Sequence, residues 1–436
     1  QAPAINLLRY NAEVFSMQER LSHYLSAIKD NSLTFVKWLV FAVVTGCLTG
    51  LAGTAFHYAI DAATALRDAH WWLILLLPAA GLIIVASYHI TRMEDDRGTE
   101  FVLASVREGR PLRFRTAPLI FLGTVLTHLT GGSAGREGAA LQLGGCISGS
   151  LGRLLKLNDK DERIITMCGM AGGFSALFGT PLSAAVFAME VESIGVMYYA
   201  ALVPCVLSAL IANLISGYLG VASTAFSLAP VPELSPVVFL QVIGLGVLCG
   251  ILANLFCRAM HLGGKLYGKV SNPYLRAALG GALVAALSLL EGTGDYNGAG
   301  MQVIVAALAG SAVPWAFVLK IVFTVLTLGA GFKGGEIVPC FFVGATFGCT
   351  VAPLIGMNPG FGAALGLVAV FCGVTNSPMT SILLGYELFG GQGVALMALG
   401  AAVSYLLSGY SGLYREQKIL YSKTAPVFID RKSGDE

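Results

Sequence analysis

This sequence has few charged residues. Only 12% of its 436 residues are Asp, Glu, Lys or Arg, whereas soluble domains carry about 25%. The formal net charge of +2 provides no basic excess that would indicate a nucleic-acid partner. Together with a hydrophobic content of 56%, the scarcity of charge excludes an ordinary soluble domain and predicts a polytopic, all-α membrane protein.

Patterns typical of disulfide-bonded, metal-binding or secreted proteins are also missing. The nine cysteines are scattered and form no Cys-x-x-Cys pair, so we expect no disulfide framework, no metal and no cofactor. Residues 1–30 lack the basic-then-apolar pattern of a cleaved signal peptide. What is abundant is glycine, with 54 residues, which fits helices packed closely in lipid.

The N-terminal region alternates apolar and charged residues at helical spacing. Residues 14–30 therefore predict an amphipathic helix at the membrane face, with apolar positions Met17, Leu21, Tyr24, Leu25 and Ile28. Asn31-Ser32 predicts the start of a first spanning helix over about 33–63. A second span over about 71–91 begins at Trp71-Trp72, which are typical interface anchors.

Lys and Arg concentrate in a few connections. Residues 217–234 and 291–299 contain neither, whereas basic clusters occur within 92–118, 153–163, 258–276 and the C-terminal tail. Basic loops stay on the cytoplasmic side of a membrane. We therefore expect the basic clusters and both termini to be cytoplasmic, with the protein in a bacterial inner membrane.

Several apolar segments are too short to cross a bilayer, which needs roughly 20 helical residues. They cover about 98–107, 181–191, 299–309 and 378–388. Short helices interrupted by Gly or Pro in corresponding places indicate a transporter whose broken helices end near the midplane.

Two of these segments repeat one another. Glu190 follows Pro181 by nine residues, and Glu387 follows Pro378 by the same number. The chain is therefore predicted to consist of an N-terminal segment (1–32), a first half (33–216), a connector (217–234), a second half (235–410) and a C-terminal helix with a cytoplasmic tail (411–436). Inverted halves place the substrate site where they meet. The equal placement of Glu190 and Glu387 favours a structural role, in which each bonds free backbone N–H groups.

A glycine-rich stretch carries a carboxylate into this apolar region: Gly131-Gly132-Ser133-Ala134-Gly135-Arg136-Glu137-Gly138-Ala139. Charge inside a membrane is costly, so Glu137 is a functional candidate. Gly138 and Ala139 open an apolar run to Leu155 that predicts a helix, and helix starts attract anions. The alternative is a glutamate that only caps a buried helix start.

Two enzyme-like motifs also occur. Residues 131–135 fit G-x-S-x-G, and residues 292–295 fit G-x-G-D. The first needs a His/Asp pair, but only His128 is nearby. The second needs a paired Asp, and Asp295 falls in a predicted outer loop without a second membrane-embedded Asp. We therefore predict that the protein is not an enzyme.

Three segments in order resemble the signatures of the CLC family of chloride channels and anion/proton antiporters. They are Gly135-Arg136-Glu137-Gly138, Gly334-Gly335-Glu336-Ile337-Val338-Pro339 and Leu413-Tyr414, and the resemblance covers about 33–422. It implies an inverted-repeat bundle with broken, re-entrant helices, and a homodimer with one anion path per subunit. It also implies that Glu137 is the gating glutamate, which blocks the outer anion site and carries a proton, and that the Tyr414 hydroxyl contacts the anion.

Several positions of this sequence differ from those of the common chloride members, and the differences indicate which branch of the family it resembles. Asp96-Arg97-Gly98-Thr99-Glu100 stands where they have Gly-Ser-Gly-Ile-Pro, and Ala139 stands where they have Pro. Glu336 adds a carboxylate to the third motif, and Val191 replaces their inner proton acceptor. This set is similar to the fluoride/proton antiporter branch, in which the extra glutamate is implied in proton coupling. That branch commonly has Met or Asn at the position of Thr99, and Thr at the position of Val338.

The resemblance therefore implies export of fluoride in exchange for protons, with chloride/proton antiport or a passive chloride channel as the alternative. Fluoride is strongly hydrated, so its site must offer several N–H or O–H donors. The candidate ion-binding residues are Gly98, Thr99, Gly138, Ala139, Ile337, Val338 and Tyr414. Glu137 and Glu336 are the candidate proton carriers, and the alternative for Glu336 is a helix-start cap.

Overall fold

A computed structural model describes residues 2–94, 96, 98–109 and 112–433, with the side chains of residues 2–21, 27 and 108 outside the description. The predicted apolar positions Met17 and Leu21, and the basic residues Arg97 and Arg110, lie outside the described side chains. The described chain forms sixteen α-helices. Those of the first half are α1 Ala2–Ala69, α2 Leu77–Ile90, α3 Thr99–Glu108, α4 Thr116–Leu129, α5 Glu137–Leu154, α6 Asp159–Phe178, α7 Pro181–Glu190 and α8 Leu202–Tyr218.

The second half repeats this series. Its helices are α9 Pro236–Gly268, α10 Pro273–Glu291, α11 Met301–Leu308, α12 Ala316–Gly329, α13 Ile337–Val351, α14 Pro359–Thr375, α15 Pro378–Leu388 and α16 Val394–Leu407. In the described chain, six helical segments are long and apolar enough to cross a membrane. The four predicted short segments correspond to α3, α7, α11 and α15, so the prediction of a multi-pass helical bundle with broken helices is confirmed.

The two halves meet head to head at their glycine-rich segments. Gly135 N donates to Gly335 O at 2.7 Å, and Gly335 N donates to Gly135 O at 2.8 Å. This antiparallel bridge is possible because neither residue has a side chain: a β-carbon on Gly335 would lie 2.5 Å from Gly138 N. The reciprocal bond brings the starts of α5 and α13 together.

The short helices α7 and α15 cap one another in the same reciprocal way. The Glu190 carboxylate accepts hydrogen bonds from Met379 N at 3.0 Å and Thr380 N at 2.8 Å. The Glu387 carboxylate accepts from Leu182 N and Ser183 N, both at 2.9 Å. Each glutamate at the end of one helix thus satisfies free amides at the start of the other, which confirms their predicted structural role.

Glycine lets the next helix pair in each half approach to backbone contact. A β-carbon on Gly144 of α5 would lie 2.0 Å from Gly169 O of α6. In the second half, a β-carbon on Gly348 of α13 would lie 2.1 Å from Gly362 O of α14. Close packing of this kind is how helices associate in lipid, where apolar surface alone provides no driving force between them.

The predicted helix start at Asn31-Ser32 is wrong. The helix α1 runs without a break from Ala2 to Ala69. Asn and Ser lower helix stability by well under 1 kcal/mol each, so they interrupt a helix only where another contact favours the break. Tyr24, Leu25 and Ile28 are exposed along this helix, and their attachment to a membrane face stays a prediction.

The predicted C-terminal helix within 411–436 is also wrong. This region contains strand β2 Lys418–Tyr421, paired antiparallel with β3 Phe428–Lys432 and parallel with β1 Ser193–Ile194. Two of the backbone amides before β2 bond to distant elements and not to a helical turn. Leu413 N donates to Val374 O at 2.7 Å, and Arg415 N donates to Glu100 Oε1 at 3.0 Å.

Candidate functional site

Three helix starts converge where the halves meet. They belong to α3, α5 and α13, and Thr99 Oγ1 at the start of α3 donates to Gly138 O at 3.1 Å. Gly138, Ala139, Ile337 and Val338 are all buried there. Because a helix start presents free N–H groups and the positive end of a dipole, this point favours negative charge.

Glu137 lies at this convergence as the first residue of α5 and is 1% exposed. Its carboxylate accepts a hydrogen bond from Arg136 N at 2.9 Å, and the Val338 amide also faces it. Arg136 Nε lies 3.8 Å from Glu137 Oε1. The carboxylate therefore sits against the start of α13, at a place that also suits a free anion.

The Arg136 side chain connects Glu137 to more exposed groups on α1. Its guanidinium donates to His57 Nδ1 at 3.0 Å and to Asp61 Oδ1 at 2.9 Å. Asp61 is about half exposed, with 53% of its side chain accessible. The Glu137 carboxylate is thus the buried end of a charged chain that reaches solvent.

Glu336 occupies the corresponding position before α13 but has different surroundings. It is the residue preceding the helix, yet its side chain makes no capping hydrogen bond. Its Oε2 atom is buried and has no hydrogen-bond partner among the described residues. The geometry does not match the cap alternative and leaves one carboxyl oxygen available to hold a proton.

A cavity of about 480 Å³ reaches Glu336 from one side, and we call it the first cavity. Gly98, Thr99 and Tyr414 also line it. The Tyr414 hydroxyl is buried and, like Glu336 Oε2, has no hydrogen-bond partner among the described residues. Glu336 and Tyr414, each with a polar atom that lacks a partner among the described residues, thus line the same cavity.

A second cavity of about 460 Å³ reaches Glu137 and Val338. The two cavities lie at opposite ends of helix α10. Pro273, at the start of the helix, lines the first cavity, and Asp295, just beyond its end, lines the second. A helix of 19 residues is about 28 Å long, which is close to the thickness of a bilayer core. The site therefore lies between two openings at opposite ends of a membrane-length helix.

Two predicted donors are engaged within the protein. Gly98 N donates to Asp96 Oδ1 at 2.8 Å, and the Thr99 hydroxyl donates to Gly138 O, as described above. Asp96 also accepts from Gln142 Nε2 at 2.9 Å. Among the described residues, the donors that remain include the amides at the starts of α5 and α13 and the Tyr414 hydroxyl.

Other residues weighed from the sequence are structural. The buried Ser133 hydroxyl pairs with Thr324 Oγ1 at 3.1 Å and is not placed as a nucleophile. Phe341 packs edge-on against Phe371, with ring centroids 5.3 Å apart. Phe342 is fully buried, and both rings belong to the hydrophobic core.

Sequence reasoning missed two lysines. Lys320 is fully buried, and its Nζ donates to Tyr296 O at 3.1 Å and Gly298 O at 2.7 Å. Lys333 lines the first cavity, with its Nζ 4.1 Å from the centre of the Tyr88 ring. Both stand in apolar sequence, so the rule that marked Glu137 as functional applies equally to them.

Comparison with known proteins gives one consistent result. A family profile described as voltage-gated chloride channel matches residues 83–409. A chloride/fluoride channel protein of Pseudomonas syringae pv. tomato is 37% identical over 395 residues, which cover 89% of this chain and 87% of that protein. The H⁺/Cl⁻ exchange transporter ClcA of Vibrio cholerae is 26% identical over 416 residues, covering 87% and 88%.

Solved structures agree with the sequence comparisons. A CLC-type fluoride/proton antiporter superposes with a TM-score of 0.85 at 33% identity, covering 88% of this chain and 98% of that one. A slow cyanobacterial Cl⁻/H⁺ antiporter superposes with a TM-score of 0.75 at 22% identity, covering 86% and 96%. The latter likeness concerns the fold alone.

Proposed function

Because this chain belongs to the voltage-gated chloride channel (CLC) family, we propose that it is a secondary transporter that exports fluoride in exchange for protons. The family consists of transporters and channels. Two relatives above 30% identity are named for fluoride, a channel protein and an antiporter structure. The chloride/proton exchangers of the Vibrio species are 24% to 26% identical to this chain.

The observation that carries the proposal is the pair of carboxylates at facing helix starts. Glu137 and Glu336 flank the Gly135–Gly335 bridge, one lining each cavity. Val191, at the usual inner acceptor position, is buried and cannot titrate. Protons crossing this site therefore need Glu336 as well as Glu137.

We assign the exchange to competition at the start of α13. The ionised Glu137 carboxylate takes the place of an anion there, next to the Val338 amide. Protonation removes its charge and weakens its hold on the helix start. Fluoride then binds in its place, held by amides at Gly138, Ala139, Ile337 and Val338 and by the Tyr414 hydroxyl, while Glu137 delivers its proton toward Glu336.

We assign the first cavity to the cytoplasm and the second to the outside. Pro273 and Arg276, from the basic cluster within 258–276, line the first, whereas the connection 291–299, which has no Lys or Arg, contributes Asp295 and Asn297 to the second. Basic connections stay on the cytoplasmic side of a membrane. Both termini are then cytoplasmic, and the membrane is a bacterial inner membrane. The halves 33–216 and 235–410 act as the two units of the exchange mechanism.

Ion flux from proteoliposomes tests this function directly. Vesicles loaded with equal fluoride or chloride are diluted into ion-free buffer, and an ion electrode and a pH electrode are read together. We expect fluoride to leave faster than chloride and protons to enter the vesicles as fluoride leaves. Chloride efflux of equal or greater rate supports the chloride antiporter instead, and anion efflux without proton movement supports a passive channel.

We also propose a homodimer, as in the family it belongs to. Helices α7, α8, α15 and α16 pack side by side. Each of them exposes apolar side chains, such as Leu182, Leu214, Met379 and Leu406. Mass photometry in detergent should give twice the mass of the chain, which is 45.5 kDa, and monomers alone would contradict the dimer.

A further inference from the structure

The first cavity holds a carboxylate to which the sequence motifs assign no role. Glu100 lies in the first turn of α3 and lines this cavity together with Glu336 and Tyr414. We propose that Glu100 is the proton acceptor between Glu336 and the cytoplasm, an inference that rests on the proposed fluoride/proton exchange. Glu100 then serves as the inner proton acceptor, which Val191 cannot do because it has no titratable group.

Contacts on both sides of Glu100 place it beside the site. Its Oε1 accepts a hydrogen bond from the backbone N of Arg415, the residue after Tyr414, at 3.0 Å. Its chain neighbour Thr99 lies against Gly138, where a β-carbon would be 2.9 Å from Thr99 Oγ1 and 3.6 Å from Glu336 Oε2. The segment that carries Glu100 is therefore packed against both Tyr414 and Glu336.

Exposure rises along the first cavity from Glu336 toward solvent. At the inner end, Glu336 Oε2 and the Tyr414 hydroxyl are buried. At the mouth, the paired side chains of His89 and Glu94 are 66% and 59% exposed. Glu100 is half-buried between these extremes. The cavity is large enough for several waters at about 30 Å³ each, so a proton can move between the two carboxyl groups through water.

The other acids of this cavity are less suited to the step. Asp96 accepts hydrogen bonds from Gly98 N and Gln142 and is committed to the loop before α3. Glu94 is at the mouth, beyond the buried part of the path. The ionisable groups that line the cavity around Glu100 are Tyr88, His89, Glu94, Asp96, Arg276, Lys333, Glu336 and Tyr414. Among them, Arg276 and Lys333 are the basic residues of this lining.

Two acids near the same end of the protein serve as comparisons. Glu416 accepts a hydrogen bond from Lys432, which holds the pKa of its carboxyl below the usual range and keeps it ionised. Burial raises the pKa of Glu192, so it can hold a proton. Glu192 is not among the residues that line the first cavity, which makes it a matched control.

The proposed step conserves charge. The neutral Glu336 carboxyl gives its proton to a water that is hydrogen-bonded to ionised Glu100, and that water passes a proton on to Glu100. Glu336 returns to the carboxylate form while Glu100 becomes neutral. Glu100 then releases its proton through the cavity mouth to the cytoplasm.

Glu100→Gln tests the step, because glutamine keeps an oxygen for Arg415 N but cannot carry a proton. Fluoride and proton fluxes are measured together in proteoliposomes of the wild type, Glu100→Gln and Glu192→Gln. We expect the number of protons moved per fluoride to fall about tenfold or more in Glu100→Gln, with the roughly 100-fold or larger losses of a removed acid–base group as the upper range. Fluoride should still leave the vesicles, and Glu192→Gln should keep the wild-type ratio.

Other results would overturn the proposal. An unchanged ratio in Glu100→Gln, or a loss in Glu192→Gln instead, refutes the role of Glu100 while leaving fluoride exchange intact. A wild type that moves fluoride without protons refutes the exchange and the relay together. If Glu100→Gln does not fold, Glu100→Asp tests the relay instead. Its shorter side chain should slow proton movement without changing fluoride binding in calorimetry. Unchanged proton movement in this variant refutes the relay.

Discussion

The starts of α5 and α13 have similar backbone conformations, but the side chains around them differ. Gly131 and Gly331 both adopt positive φ, 80° and 103°, before segments that bridge each other and enter a helix. Glu137 bonds to Arg136 N and lies near the Arg136 side chain, whereas Glu336 leaves a buried oxygen without a partner among the described residues. Duplication thus fixes where each carboxylate stands, and the surrounding side chains set what each one can do.

The largest expected effect follows from neutralising the first of these carboxylates. Glutamine at Glu137 keeps the shape but cannot exchange a proton or return as an anion to the start of α13. We expect Glu137→Gln to reduce fluoride-driven proton uptake about 100-fold or more. A pH-monitored liposome assay measures this, and proton uptake at the wild-type rate would contradict the gating role.

The second carboxylate sharpens the comparison. If Glu336 carries protons, Glu336→Gln should give a folded dimer in which proton movement per fluoride falls about tenfold or more. If it only capped α13, glutamine would reduce stability slightly and leave coupling intact. Size-exclusion chromatography in detergent checks folding. Wild-type coupling in the folded variant would retire the proton-carrier role and leave the proton route unassigned.

Glu190 and Glu387 provide the control pair, since their environments match where those of Glu137 and Glu336 differ. Replacing either with glutamine turns one of two acceptor oxygens into a donor facing a backbone amide. We expect each variant to lose about 1–3 kcal/mol of stability, the usual penalty for a buried group without its partner. Thermal unfolding in detergent should show similar losses for both, with unchanged protons per fluoride. A changed ratio would give these glutamates a transport role.

Much of this arrangement can be predicted from the sequence because it depends on spacing. The nine-residue interval from Pro to Glu in each half is enough to predict that Glu190 and Glu387 serve free amides. The scarcity of charge marks Glu137 and Glu336. These signals lie within single segments or in two segments that repeat each other. The structure keeps the repeat, so both kinds of signal remain valid in it.

What escaped prediction depends on contacts between segments distant in the chain. A helix is predicted within 411–436, yet the amide of Arg415 bonds to Glu100, which is 315 positions earlier. The importance of Glu100 likewise appears only when its neighbour Thr99 is seen against Gly138. No periodicity or motif reports such a contact, because it exists only after the halves have packed.

The smallest expected effect concerns Thr99, where the two halves differ in chemistry at their broken helices: α3 starts with Thr99, whereas α11 starts with Met301. The Thr99 hydroxyl donates to Gly138 O and so supports the start of α5 without offering its proton to an anion. We expect Thr99→Val to weaken fluoride binding by about threefold, equivalent to one neutral hydrogen bond of roughly 0.5–1.5 kcal/mol. Thr99→Ser keeps the hydroxyl and should bind as the wild type does. Calorimetric titration of both variants with fluoride measures the change in affinity. A hydrogen bond to a charged group is worth about 1.5–3 kcal/mol. An affinity loss of about 100-fold in Thr99→Val alone would therefore show that the hydroxyl contacts the ion directly.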